Sequence, residues 1–177
     1  MSRPELTALS HAILAAVGEG GASTPELVDI ARRGAPLLWT SAESQLYSES
    51  KRLSERGYLH SRKEPGKTRR RTFYTLTAKG RRALTRWLAT PAPFPRIQHE
   101  AAIRLLAADM VPEETTAAAL LSLRVELDRL DRLVDESVER AHGLPRRERY
   151  LLLQLSLVRR MLGAHREWLD EVEQNLS

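Results

Sequence analysis

The sequence predicts a mainly α-helical protein that carries one small two-stranded hairpin. Three observations predict it. Apolar residues make up 42% of the 177 residues but aromatics only 5%, so Leu and Ala, both good helix formers, supply the core. Apolar side chains recur at steps of three and four along most of the chain. That period fails once, at two runs of strand formers between residues 58 and 76.

The elements follow in order. Leu6, Leu9, Ile13, Leu14 and Val17 share one face of a helix that stops at the Gly18-Glu19-Gly20-Gly21 run. Ser23-Thr24-Pro25-Glu26 starts a second helix, with Thr24 as cap and Pro25 in the first position; it ends near Gly34. After Leu37-Leu38-Trp39, Thr40 and Glu43 form a capping-box pattern, which predicts a third helix over 41–56 stopped by Gly57. Residues 58–62 and 72–76 are the strands, joined through Glu64-Pro65-Gly66-Lys67, the pattern of a type II turn. Thr77 caps a fourth helix over 78–88. Thr90-Pro91-Ala92-Pro93-Phe94-Pro95 then marks a boundary between domains at 1–90 and 96–177.

The second domain is expected to be wholly helical. A short helix covers 96–108, and Pro112-Glu113-Glu114 opens a longer one. Leu120, Leu123, Leu127, Leu130 and Val134 alternate steps of three and four along it. Gly143-Leu144-Pro145 opens the last helix, where Leu151, Leu155, Val158, Leu162, His165, Leu169, Val172 and Leu176 do the same. At 1.5 Å per residue this helix is about 45 Å long, more than a small domain needs. Leu152, Leu153, Leu157, Met161 and Trp168 widen its stripe. An intramolecular hairpin accounts for one side of such a stripe. A second subunit is expected on the remainder, with Leu123, Leu127, Leu130, Leu151, Leu155, Val158, Leu162 and Leu169 as dimerisation residues.

The charge is divided. Residues 1–90 hold 16 Lys and Arg against 8 Asp and Glu, a balance of +8, whereas residues 91–177 hold 12 against 15, a balance of −3. All 12 cations of the second half are Arg. A basic domain joined to a slightly acidic one points to a polyanion as partner of the first. The absence of Cys removes disulfides, thiol nucleophiles and Cys-ligated zinc. With no apolar leader and no run long enough to span a bilayer, the expected location is the cytoplasm, away from membranes.

Helix, helix, helix, hairpin is the order of a winged helix-turn-helix, whose third helix enters the DNA major groove. The hairpin, as wing, holds Arg62, Lys63, Lys67, Arg69, Arg70 and Arg71 against Glu64 alone. Like charges so close repel, and phosphates offset that cost through counterion release. On the third helix, Ser41, Ser44, Gln45 and Ser48 are suited to base edges, and Gln45 can pair bidentately with adenine. Lys51 and Arg52 are suited to phosphates; Tyr47 fits either a phosphate contact or the core.

Ser44-Gln45-Leu46-Tyr47, Lys51-Arg52-Leu53, Glu55-Arg56-Gly57-Tyr58-Leu59, the run from Arg70 to Arg81 and Trp87-Leu88 resemble the PadR family of transcriptional regulators, closely over residues 6–90. The long helices and Trp168-Leu169 resemble, in layout, the virulence-activator type of C-terminal domain. The resemblance implies a homodimer with two winged domains on a palindromic operator of double-stranded DNA. It implies a repressor, often of a neighbouring transporter or detoxification gene, that a small molecule releases. Ser48 and Ser50 stand where the family usually has Pro and Leu, which implies looser packing under the recognition helix or altered operator contacts.

Such an effector must favour one arrangement of the two wings, so it is expected where the winged domains meet the dimer arm. Trp87, His165 and Trp168 are the candidate pocket for a flat aromatic or drug-like compound; core and interface packing is the other use of both Trp residues. An enzyme is not indicated. His11, His60, His99, His142 and His165 are scattered, no phosphate loop or nucleophile elbow is present, and no cofactor is expected. The alternative to a regulator is a protein-interaction module whose helical arm is its purpose, but such a module has no need of a basic wing.

Overall fold

A computed structural model describes residues 5–33, 42–65, 71–95 and 97–176, the side chain of Arg33 excepted. The chain divides into two units, Met1–Pro93 and Phe94–Ser177.

The first unit runs α1 (Ala8–Val17), β1 (Ala22–Ser23), α2 (Thr24–Arg33), α3 (Glu43–Glu55), β2 (Leu59–Glu64), β3 (Arg71–Leu76) and α4 (Ala78–Leu88). Ile13, Leu14 and Val17 of α1, Leu27 and Val28 of α2, Leu46 and Leu53 of α3, Tyr58, Leu59, Tyr74 and Ala83 form one core. α1 starts two residues later than its apolar period suggests, because Thr7 and Ser10 cap each other. The Ser10 amide donates to Thr7 Oγ1 at 3.2 Å and the Thr7 amide donates to Ser10 Oγ at 2.8 Å.

The sheet has a third strand beyond the expected two. β1 pairs with β3, giving the antiparallel order β1-β3-β2. Two residues carry no alternation, so the sequence does not announce this strand. Gly21 admits it. At φ +75° Gly21 lies so close that an added Cβ would meet the Phe73 ring at 2.5 Å and the Tyr74 carbonyl oxygen at 2.8 Å. The cap of α2 is also displaced by one residue. Ser23 donates its amide and its hydroxyl to Glu26 Oε2, at 2.6 and 2.7 Å, while Thr24 Oγ1 donates to the Thr72 carbonyl. These two donors hold the Glu26 carboxyl below the usual carboxylate range.

α3 begins at Glu43 with Ala42 at its cap and no side-chain cap bond. The expected partner, Thr40, lies outside the described residues, as do Leu37-Leu38-Trp39 and the Gly66-Lys67 half of the expected type II turn. Glu43 instead pairs with Arg32 of α2. α4 has the expected cap: Thr77 Oγ1 accepts the Gly80 amide at 2.9 Å and donates to the Gly57 carbonyl at 2.7 Å. Only glycine fits at position 80, since a Cβ there would stand 2.1 Å from the Tyr58 carbonyl oxygen.

The second unit runs α5 (Glu100–Arg104), a 3₁₀ segment (Leu105–Met110), α6 (Glu113–Leu121), α7 (Leu123–His142) and α8 (Glu148–Leu176). Two expected helices are broken. The expected helix over 96–108 starts only at Glu100, where His99 Nδ1 caps it by accepting the Ala102 amide at 3.2 Å, and Ala107 departs from helical geometry at φ −130°. The helix after Pro112 divides at Ser122, whose hydroxyl donates to the Ala119 carbonyl at 2.7 Å; back-bonding of this kind bends helices. α7 and α8 pack as an antiparallel hairpin around Leu127, Leu130, Val134, Leu155, Val158, Leu162, Leu169 and Val172, all buried. Ion pairs ladder its flank: Arg124 with Asp170 and Glu173, Arg166 with Asp128 and Asp131, Arg159 with Asp135.

Ser50 is fully buried on the inner face of α3, and its hydroxyl oxygen finds no hydrogen-bond partner among the described residues. A buried unsatisfied hydroxyl costs stability. Ser50→Ala is therefore expected to raise the unfolding free energy by about 1 kcal/mol in urea titration; a loss of stability would show that the hydroxyl is bonded in solution.

Candidate nucleic-acid interface

α3 is divided lengthwise. Leu46, Ser50 and Leu53 point into the core, while Ser44, Gln45, Tyr47, Ser48 and Lys51 are exposed. Tyr47, at 49% exposure, is not a core residue of this unit. Ser48 donates its hydroxyl to the Gln45 carbonyl at 3.1 Å, and Lys51 lies 3.7 Å from Glu55. Ser41 is outside the described residues.

Arg52 differs from the other expected contacts because it is engaged inward. Its Nε and Nη2 each donate to Glu49 at 2.7 Å, Nη1 donates to the Glu5 carbonyl at 3.1 Å, and Nη2 donates to Ser10 Oγ at 3.2 Å. Ser10 Oγ donates in turn to Glu49. The fork of Arg52 thus ties α3 to α1 and the segment before it, so the donors that the sequence suggested for a phosphate are engaged within the unit. Sequence reasoning missed Glu49 and Glu5, because a lone acid on a helix carries no signal of its partner. Glu5 also accepts the Tyr58 hydroxyl at 2.6 Å, which holds its carboxyl below the usual range. Lys79 stands 4.1 Å above the Tyr58 ring.

On the hairpin, Arg62, Lys63 and Arg71 are described; Lys67, Arg69 and Arg70 are not. Lys63 Nζ donates to Thr72 Oγ1 at 2.8 Å. Arg62 and Arg71 both reach Glu64, and Arg71 also lies 3.9 Å from Glu26 of α2. The hairpin base is tied to α3 by a 3.0 Å bond between the Ser54 and Ser61 hydroxyls. α3 and the base of the hairpin are therefore in direct contact.

The three candidate pocket residues fall in two units. Trp87 lies in the first, stacked on His11 with ring centroids 4.8 Å apart. His165 and Trp168 lie in the second, where they meet a residue the sequence did not single out, His99. Nε2 of His99 and Nε2 of His165 are 2.9 Å apart, and Trp168 stands edge-on to His99 at 5.7 Å. His165 Nδ1 lies 2.6 Å from the Met161 carbonyl oxygen, so it carries the proton and its Nε2 accepts from His99. A separate cavity of about 220 Å³, lined by residues between Arg104 and Leu120, includes neither His165 nor Trp168.

Of the expected dimerisation residues, Leu127, Leu130, Leu155, Val158, Leu162 and Leu169 are buried within the unit, and Leu123 and Leu151 are half-buried. The seams serve the α7–α8 hairpin. The large apolar side chains left outward on α8 are Tyr150, Leu153 and Leu157, at 69%, 63% and 51% exposure. Among the described residues no helix is long and apolar enough to cross a membrane.

Comparison with known proteins adds to this geometry. Residues 14–86 match the model of the transcriptional regulator PadR-like family. The negative transcriptional regulator PadR of Bacillus subtilis is 30% identical over 88 residues, which cover 49% of this chain and 48% of that protein. The aligned stretch thus spans about half the length of that relative. Among solved structures, Bacillus subtilis PadR in complex with operator DNA superposes with a TM-score of 0.77 at 21% identity, over 96% of this chain and 98% of that one. The same protein in complex with p-coumaric acid gives 0.68 at 21%, over 99% and 97%. The Vibrio cholerae virulence activator AphA gives 0.66 at 22%, over 96% of each chain. These likenesses establish the fold, a winged helix followed by long helices. Residues 14–86 of this chain, from the middle of α1 to the last turn of α4, are thus the part that resembles the PadR-like family of transcriptional regulators.

Proposed function

We propose that this chain is a cytoplasmic, dimeric, DNA-binding transcriptional regulator that represses from a palindromic operator and is released by a small aromatic effector. The observation that carries the reading is the outward face of α3, where polar side chains stand free of the core beside a basic hairpin. Helix and hairpin are the parts that a winged domain sets in the major groove and on the flanking backbone. The solved complex of Bacillus subtilis PadR with operator DNA supports a duplex as partner, and its complex with p-coumaric acid supports a planar effector. For this chain the ring cluster of His99, His165 and Trp168 is the preferred effector contact, in place of a pocket shared with Trp87. For the second subunit, the outward residues Tyr150, Leu153 and Leu157 replace the buried seam as the docking stripe.

Binding to duplexes selected from a random pool tests the DNA reading. Replacing Lys67, Arg69 and Arg70 by Ala is expected to weaken binding to all duplexes alike and to reduce the slope of log affinity against log salt by about 2–3. Arg71 is left in place because Glu64 and Glu26 hold it. An unchanged slope removes the hairpin from the interface. Gln45→Ala is expected to cost about 1–3 kcal/mol on the selected duplex and little on an unrelated one; equal losses would assign Gln45 to the backbone. The arm has its own test. Leu153→Glu with Leu157→Glu should convert a dimer to a folded monomer in sedimentation, and that monomer should lose the ability to bridge half-sites about 34 Å apart. A variant that stays dimeric places the interface elsewhere.

A further inference from the structure

The hairpin holds a charge arrangement that its basic composition hides. Alternate residues of a strand share a face. Arg62 and Glu64 therefore lie on one face of β2, and the register sets Phe73 opposite Arg62 and Arg71 opposite Glu64. Within this square, Nε and Nη2 of Arg62 converge on Glu64 Oε1, at 2.8 and 2.7 Å. The Arg62 guanidinium carbon lies 4.8 Å from the centre of the Phe73 ring. Arg71 Nη2 donates to the other Glu64 oxygen at 3.4 Å, and its Nη1 lies 3.9 Å from Glu26. Phe73 cannot withdraw toward β1, where its ring already occupies the space that a side chain at Gly21 would take.

Arg62 is thus fixed by a ring beside it and a carboxylate along one edge, while its side chain remains 67% exposed. Glu64 is only 21% exposed. A guanidinium has five N–H donors. Two of them serve Glu64 here, and those around Nη1 meet no partner among the described residues. A planar donor edge held in one direction suits an anionic oxygen or a bidentate base edge.

Resting on the DNA reading above, we propose that Glu64 is a positioning residue for duplex recognition. It holds Arg62 in one pre-formed donor geometry, and its charge keeps the two arginines from gripping phosphates indiscriminately. A side chain that is ordered before binding loses less freedom on reaching the acceptor its geometry fits. Removing the carboxylate frees Arg62 to follow any phosphate and strengthens the sequence-independent term. Glu64 therefore acts on the ratio between the preferred duplex and others more than on affinity as such.

The test uses the full chain and Glu64→Gln, Glu64→Asp and Arg62→Lys variants. In the free protein, the Arg62 Nε–H signal, assigned by its loss in Arg62→Lys, should exchange slowly with water. It should exchange faster in Glu64→Gln. On DNA, Glu64→Gln should tighten binding to a scrambled duplex while leaving the selected one level or weaker, lowering their ratio about tenfold. Arg62→Lys keeps the charge but loses the planar fork, so it should lower the ratio without tightening the scrambled duplex. Glu64→Asp should recover part of the ratio. If Glu64→Gln shifts both duplexes by one factor, or Arg62→Lys leaves the ratio unchanged, the positioning role is overturned and the square is structural only. If Glu64→Gln fails to fold, Arg62→Lys decides. A parent chain that binds no duplex overturns the DNA reading, and this inference with it; duplex binding with an unaltered ratio overturns this inference alone.

Discussion

The joint grip of Arg52 and Glu49 on Ser10, with the bond of Arg52 to the Glu5 carbonyl, sets which way α3 faces. A helix with only Leu46 and Leu53 as large buried side chains is weakly fixed about its own axis. The directional constraint lies in the bonds that leave α3, from Arg52 to Ser10 and the Glu5 carbonyl and from Ser10 to Glu49, which weaken if the helix turns. The Arg52–Glu49 pair within the helix orients the fork that makes them. Arg52 is half-buried, so this pairing is stronger than the exposed ion pairs around it. Everything assigned to the outward face depends on that setting, from Gln45 to Lys51. The hydroxyl of Ser50, on the same buried side and without a partner among the described residues, leaves the polar grip as the more selective restraint.

The hairpin shows a second use of charge. Its composition suggests undivided repulsion, but the described part is organised around one carboxylate. Glu64 joins Arg62 and Arg71, and Arg71 leads on to Glu26, which caps α2. The wing is thereby linked to the first helix of the helix-turn-helix, while the Ser54–Ser61 contact links it to the second.

How much was legible in the sequence follows from the range of each interaction. Thr77 announced α4 because a cap is local: its hydroxyl takes the amide only three residues on. The strands around Tyr74 and Leu59 were visible in their β-branched and aromatic content. β1 was not, since two residues have no period and their pairing depends on a distant Phe73. Arg52 was readable as a cation on the right helix, but its direction was set by Glu5 and Ser10, far away in sequence. The heptads correctly marked a packed seam in the second unit. They did not say which partner fills it, because an intramolecular neighbour and a second subunit demand the same pattern. His99 was hidden for a like reason: its partner, His165, lies on another helix.

The ladder of ions along α7 and α8 has one more consequence. A seam of leucines spaced by heptads allows two helices to slide past one another by a whole heptad and still bury apolar surface. The charges do not tolerate it. Slid one heptad one way, Arg124 leaves Glu173 and comes opposite Arg166; slid the other way, Asp131 leaves Arg166 and comes opposite Glu173. Each misalignment adds a like-charge pair and keeps fewer attractive ones, so these exposed pairs, individually weak, together favour the native register.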